Sequence, residues 1–264
     1  MSYSSSKFLV FFFFFQAEDG IRDQEAINAE TSATEVARRF ERNDWISAPV
    51  VDSAGKLLGR ITIDDVVDVI REEADHSLTS LAGLAEEDTF APVWQSAPRR
   101  AIWLGINLMT ALLASSVINV FQDTIEKVVA LAVLMPIVAS MGGIAGTQSL
   151  TILIRAMAMG QINGRNQFWL VGRESLVGLL NGLLWAGVIA ITASLWFGDA
   201  TLGVIIACAM LINLATAGFA GAGLPLLLRR LRIDPALAGG VLVTTVTDVM
   251  GFLAFLGLAA LFYG

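Results

Sequence analysis

Cysteine is nearly absent from this 264-residue chain. Cys208 stands alone in a hydrophobic segment, which excludes a disulfide framework or a cysteine-based metal site within one chain. Histidine is as scarce: His76 is alone, and His-rich metal chemistry is excluded with it. Charge is sparse as well. Asp, Glu, Lys and Arg make up 16% of the residues and hydrophobic types 55%, the balance of a membrane protein rather than of a large soluble core. The charge that is present divides unevenly. Residues 1–98 carry 8 Lys/Arg against 18 Asp/Glu, whereas residues 99–264 carry 9 against 6. A small acidic soluble part therefore precedes a membrane part. Its acidity argues against nucleic acid as a partner and for cations, although a solvated acidic surface accounts for it too.

Residues 1–23 read as a non-native or disordered segment. Phe11–Phe15 is an unbroken Phe run too short to cross a bilayer and without a small-residue cleavage site, so a signal peptide is the weaker reading. The expectation is that a natural N-terminus is missing. Residues 24–75 have the pattern of a compact α/β piece. A helix is expected over Ala33–Arg42, with Val36, Ala37 and Phe40 on one side. A strand follows over Ala48–Asp52, then the turn Ser53-Ala54-Gly55 and a second strand over Lys56–Thr62. Asp64 is placed to cap a helix over Asp65–Glu73. Residues 76–98 form a polar connecting segment with Glu86, Glu87 and Asp88.

Residues 99–264 hold five apolar runs, at about Ala101–Phe121, Val128–Ala158, Leu176–Phe197, Leu202–Leu228 and Pro235–Tyr263. Each reaches the roughly 20 residues that a transmembrane helix needs. The second is too long for one straight span, and Pro136, Gly142, Gly143 and Gly146 are expected to break or kink it. Arg99, Arg100, Arg155, Arg165, Arg173, Arg229, Arg230 and Arg232 fall on one side of these spans, with Lys127 alone on the other. The positive-inside rule then places the N-terminus in the cytoplasm and the C-terminus outside a cell (inner or plasma) membrane.

The last run starts at Asp234-Pro235 and, read as a helix, puts Gly240, Thr244, Thr247, Asp248 and Gly251 on one face. A carboxylate at membrane depth costs about 2.5–3.5 kcal/mol on insertion scales, so Asp248 faces either a water-filled path or a structural partner. Two further faces are rich in small and polar residues: Gly142, Gly146 and Ser149 with Gly143 and Thr147 beside them, and Asn213, Thr216, Ala217 and Ala220. Close helix packing is the default reading of such faces, with Asn213 bonding across helices. The alternative is a narrow polar conduit. Its oxygen donors suit a hydrated hard cation such as Mg2+, which gives up its waters reluctantly. One Asp is little charge for that purpose, and a symmetric dimer would bring two Asp248 to a shared axis.

Three strings carry a family likeness: Met141-Gly142-Gly143-Ile144-Ala145-Gly146-Thr147-Gln148-Ser149, Asp234-Pro235-Ala236-Leu237-Ala238 and Val243-Thr244-Thr245-Val246-Thr247-Asp248. Together they resemble the MgtE magnesium transporter and channel family over about residues 24–264. The string from Ala48 to Val66 resembles a single CBS motif, of a kind that normally packs in pairs, which again suggests truncation. The resemblance implies an all-α polytopic domain of five transmembrane helices preceded by a partial α/β CBS domain. It implies a homodimer that passes Mg2+ through a central pore lined by the second and fifth spans, in a bilayer and without enzymatic activity. By the same likeness Asp248, Asp234, Thr244 and Gly240 are the intramembrane metal-site candidates, and Gly143, Gly146, Thr147, Asn213 and Thr247 the pore-lining ones. Asp65, Glu73 and Asp75 match an acidic region through which cytoplasmic Mg2+ would gate the pore.

Ile144 stands where the family usually has Asn, Gly239 and Val241 flank Gly240 in place of the usual residues, and the acidic pair after Glu73 is reduced to Asp75. A truncated chain of this kind is expected to conduct and to close poorly. The rival readings are transport of Co2+ or Mn2+, which oxygen ligands do not exclude, and a non-conducting CBS sensor with ATP as a ligand by analogy. An intramembrane aspartyl protease needs two Asp sharing a proton, and no such pair occurs in the spans.

Overall fold

The computed structural model describes residues 26–81 and 90–264, with side chains omitted for 73–78 and 81. The chain divides into two compact units, 1–78 and 79–264. In the first, strand β1 (Ile27–Asn28) leads to helix α1 (Ala33–Asn43), strands β2 (Ser47–Val51) and β3 (Leu57–Thr62), and helix α2 (Ile63–Leu81). Ser32 caps α1 in extended backbone, its side chain accepting from the N–H of Glu35. The α1 face of Val36, Ala37 and Phe40 is buried with Ile27, Ala48 and Val66, and Trp45 meets Phe40 edge-on at 5.8 Å.

The sheet runs β1-β2-β3, with β1 parallel to β2 and β2 antiparallel to β3, Ser47 opposite Thr62. The hairpin turns on Asp52, whose carboxylate accepts from the N–H groups of Ala54 (2.9 Å) and Lys56 (2.8 Å), and on Gly55 at φ +78°. Helix α2 begins at Ile63 rather than Asp65 and runs on past Glu73 to Leu81. No Gly or Pro interrupts 63–81, so nothing in the sequence ends the helix at residue 73.

The second unit consists of α3 (Val93–Val120), the short α4 (Gln122–Lys127), α5 (Ala130–Ala158), α6 (Gln167–Phe197), α7 (Ala200–Arg230) and α8 (Pro235–Tyr263). The five longer helices are each long and apolar enough to cross a membrane. At about 1.5 Å per residue they run about 42–47 Å, beyond the roughly 30 Å of hydrocarbon, so their ends reach polar surroundings. This explains why α6 starts at Gln167, nine residues before the apolar run at Leu176. Helix α5 is unbroken from Ala130 to Ala158 although Pro136 lies within it. A proline this close to the start removes one ladder bond, and the packed neighbours hold the rest.

Helix α7 is the axis of the bundle: α5, α6 and α8 all pack on it, and its buried residues run from Leu202 to Leu228. The α6–α7 approach is set by two glycines acting reciprocally. A Cβ on Gly178 would lie 2.4 Å from the Leu214 carbonyl oxygen, and one on Gly218 would lie 2.4 Å from that of Glu174. Backbone against backbone is how helices associate where lipid offers no hydrophobic contrast. Leu131, Leu134, Val138, Ile206, Phe255 and Leu256 fill the space between α5, α7 and α8.

Two polar ties fasten this packing. Asn213 of α7 is fully buried, and its Nδ2 donates to the Val138 carbonyl of α5 at 2.8 Å. Gly142 and Gly251 leave the room it occupies. Asp199 caps α7, accepting on Oδ1 from the N–H of Thr201 (2.8 Å) and Leu202 (3.3 Å), and accepts on Oδ2 from the Tyr263 hydroxyl in the last turn of α8. The Tyr263 hydroxyl, joined by those two N–H groups, holds the Asp199 carboxyl below the ordinary aspartate value of 3.8.

Each tie gives an expected outcome. A folded value below the unfolded one means that the Asp199 contribution is present above the ordinary carboxylate range and is lost as pH falls through the folded value. Tyr263→Phe should lower the Tm of the detergent-solubilised protein by about 2–4 °C at neutral pH. The gap to wild type should narrow toward pH of about 3; a gap independent of pH contradicts the tie. For Asn213, adjacent glycines make the test. A Cβ at position 142 would lie 2.3 Å from Asn213 Nδ2, whereas one at 143 meets nothing nearer than Thr244 Cγ2 at 3.9 Å. Gly142→Ala should therefore cost about 1–3 kcal/mol in thermal unfolding while Gly143→Ala stays close to neutral.

Candidate functional site

Beside α8, helix α5 presents a face that the bundle does not cover. The two form an open cleft of about 880 Å³, with Ser140, Thr147, Gln148 and Thr151 of α5 and Thr244 and Asp248 of α8 as its polar lining. Ala139, Gly143, Ile144 and Ile152 complete the wall, and no Lys or Arg belongs to it. The sequence spacing produces this directly: residues 140, 144, 147, 148 and 151 recur at helical intervals on one side of α5. Residues 142, 146 and 149 point the other way and are buried.

The three threonine hydroxyls of the wall share one orientation. Thr147 donates to the Gly143 carbonyl (2.8 Å), Thr151 to that of Thr147 (2.8 Å), and Thr244 to that of Gly240 (3.0 Å). Each hydroxyl proton is thus spent on its own helix, which leaves the oxygen lone pairs as acceptors for whatever enters the cleft. Asp248 is partly buried, and among the described residues its carboxylate accepts no hydrogen bond and pairs with no cation. The cleft therefore offers a carboxylate and oxygen acceptors, with the Gln148 amide beside them and no cationic side chain. Among the described residues no three His, Cys, Asp or Glu side chains gather into a chelating cluster. Such a donor set fits a cation that keeps its own water shell better than one stripped and caged.

Asp234 sits at the N-cap of α8, its Oδ1 accepting from the N–H of Ala236 at 2.9 Å. It lies about 21 Å from Asp248 along the helix, at about 1.5 Å per residue. Gly240 is partly exposed between them. The structure thus brings Gly143, Thr147, Thr244 and Asp248 together on one cleft. Three residues expected beside them lie behind the wall in the protomer. A Cβ on Gly146 would meet Val243 Cγ1 at 2.5 Å, Thr247 is fully buried with its hydroxyl on the Thr244 carbonyl, and Asn213 is spent on Val138. A helical wheel gives their angular position but not the neighbour that covers them. In the other unit, Asp65 is exposed and accepts from both the N–H (3.0 Å) and the hydroxyl (2.9 Å) of Thr62. The side chains of Glu73 and Asp75 lie outside the described residues.

One acid escaped the sequence reading. Glu174 of α6 is only 1% exposed, accepts from Ser149 Oγ at 3.0 Å and pairs with Arg173 at 2.5 Å. Starting the third span at Leu176 left it outside the membrane part of the helix. The available signal was the spacing Glu174, Gly178, Gly182, a stripe at intervals of four whose members are all buried.

Comparison with known proteins adds to this geometry. Residues 135–258 match the MgtE family model, described as a divalent cation transporter, and residues 21–72 match the CBS domain model. The magnesium transporter MgtE of Bacillus subtilis is 36% identical over 245 residues, covering 92% of this chain and 52% of that protein. Its namesake from Thermus thermophilus is 35% identical, covering 89% of this chain and 53% of that protein, and the one from Enterococcus faecalis is 32% identical, covering 86% and 50%. The chain spans about half the length of the curated relatives it matches. With both models matched in one chain, and relatives alike across most of its length, the chain belongs to the MgtE family of divalent cation transporters.

Proposed function

We propose that this chain carries Mg2+ across the membrane, passively and through a channel-like path formed where two copies face each other across the α5–α8 cleft. The observation that carries the reading is Asp248, an acid at membrane depth with no protein partner among the described residues, on a cleft open to the outside of the protomer. The names of the relatives support Mg2+ as the substrate. One wall with one acid is half a pore. A two-fold axis along the open cleft supplies the second wall, and two Asp248 carboxylates then match the charge of one divalent ion. The ion passes with much of its hydration intact, its waters donating to Asp248 and to the outward lone pairs of Thr147, Thr151 and Thr244.

The arginines at the ends of α5, α6 and α7 favour a cytoplasmic N-terminus, with Asp234 at the inner end of the path and the C-terminus outside. For regulation, the acids Asp64, Asp65, Asp68 and Glu72 of α2 repel one another and attract Mg2+ as counter-cation, and Glu73 and Asp75 add to that negative charge in the sequence. Rising cytoplasmic Mg2+ would then favour the closed state.

The decisive experiment compares Mg2+ uptake into proteoliposomes by wild type, Asp248→Asn and Asp248→Ala. Wild type should take up Mg2+, and each substitution should cut the rate at least about tenfold, since it removes a charge facing a low-dielectric path. Equal uptake by all three removes Asp248 from the path. No uptake by wild type favours the non-conducting sensor.

A further inference from the structure

The outer face of α5 makes the proposed ion path, and its inner face is fastened at two points. Near one end, Asn213 Nδ2 holds the Val138 carbonyl at 2.8 Å. Near the other, Ser149 Oγ donates to Glu174 Oε2 at 3.0 Å. The two bracket the stretch from Ser140 to Gln148, which carries three of the four polar residues that α5 gives to the cleft, and Thr151 lies about half a turn beyond Ser149. Between them α5 rests on small-residue contacts, such as Gly221 of α7 against the Gly146 carbonyl. Contacts of that kind fix how close two helices lie, but as nearly smooth surfaces they fix poorly how far one slides or turns against the other. A directional hydrogen bond sets that remaining freedom.

Glu174 is an expensive way to make such a bond. It is 1% exposed, and a carboxylate so buried is retained against a desolvation cost that an apolar side chain would avoid. The arrangement around it is complete. Oε1 takes the Arg173 guanidinium, which is half-exposed and reaches outward, and Oε2 takes Ser149. Among the described residues, the Ser149 bond is the one side-chain hydrogen bond joining α6 to α5. The α6 backbone at Glu174 lies hard against α7 at Gly218, which sets how close this part of α6 stands to α7.

We propose that Glu174 is a positioning residue for cation passage: through Ser149 it sets where the Arg155 end of α5 lies, and so the distance of Thr147 and Thr151 from Asp248 across the path. The inference rests on the transport reading above. The test compares wild type, Ser149→Ala, Glu174→Gln, Glu174→Leu and the Ser149→Ala/Glu174→Leu double variant for Mg2+ uptake per folded protein in proteoliposomes. Glu174→Gln keeps an acceptor of the same reach and should stay within about twofold of wild type, whereas Glu174→Leu and Ser149→Ala should each lower the maximal rate about fivefold, in the range seen for residues that touch neither ligand. The half-saturating Mg2+ concentration should not move, because Asp248 is intact. The double variant should be no slower than the slower single one, since both remove one bond.

A purely structural role would lower Tm and leave uptake per folded protein unchanged, which overturns the proposal. So does a double variant whose losses multiply, or a Glu174→Gln as slow as Glu174→Leu. Should Glu174→Leu fail to fold, the contrast between Ser149→Ala and Glu174→Gln decides alone. A wild type without uptake defeats the transport reading itself, and this inference with it.

Discussion

At membrane depth a polar group has no bulk water to turn to, so it must find a partner in the protein or stand beside water that the protein admits. Four side chains of the bundle follow this rule. Asn213 takes a backbone carbonyl, Thr247 turns its hydroxyl onto its own helix, and Glu174 is shared between a serine and an arginine. Asp199, at a helix end, is held by two N–H groups and a tyrosine. Asp248 is the unpaired charge among them, and its position on an open cleft is what makes it a candidate site; Asn213 Oδ1, buried without a partner, is the other polar atom left over in the bundle among the described residues. Without the other four ties that unpaired charge would carry little meaning.

The same rule accounts for the division of labour on α5. One side packs inward with leucine, glycine and Ser149, and the other faces the cleft with Ser140, Thr147, Gln148 and Thr151 among Ala139, Gly143, Ile144 and Ile152. A helix with a tightly packed back can present a wall of hydroxyls at fixed height, and the inward turn of the Thr147 and Thr151 protons leaves their oxygen lone pairs facing outward. Asp248 is the one carboxylate among the residues that line the cleft. A hydrated divalent ion tolerates such a sparse site because its first-shell waters carry the contacts.

Much of this was legible in the chain itself. Five long apolar runs gave the helix count before any coordinate, and the lone acid after Asp234-Pro235 was singled out by its cost at membrane depth. Alternation and turn chemistry gave the β2–β3 hairpin within a residue of its ends. The failures share a cause. Helix limits were read from hydropathy, yet backbone hydrogen bonding continues past the hydrocarbon edge, and so α6 began early and hid Glu174. The family likeness put Gly146, Asn213 and Thr247 on the path. Close packing with Asn213 bonded across helices, the default reading of the two small-residue faces, is where the structure places Gly146 and Asn213, and Thr247 is buried with them. Which helix packs there is information held by the neighbours and not by a residue's own spacing.

The central claim is that water and Mg2+ travel along the α5–α8 cleft. The single cysteine makes a direct measurement practicable: in a Cys208→Ser background, Thr147→Cys places a thiol on the cleft and Ile191→Cys places one on the exposed outer surface of α6. Each variant is treated with a charged, membrane-impermeant thiol reagent while Mg2+ uptake is followed. Block at position 147, slowed by Mg2+, with no effect at 191, is the predicted result. Uptake that continues unchanged after full labelling at 147 would contradict the account.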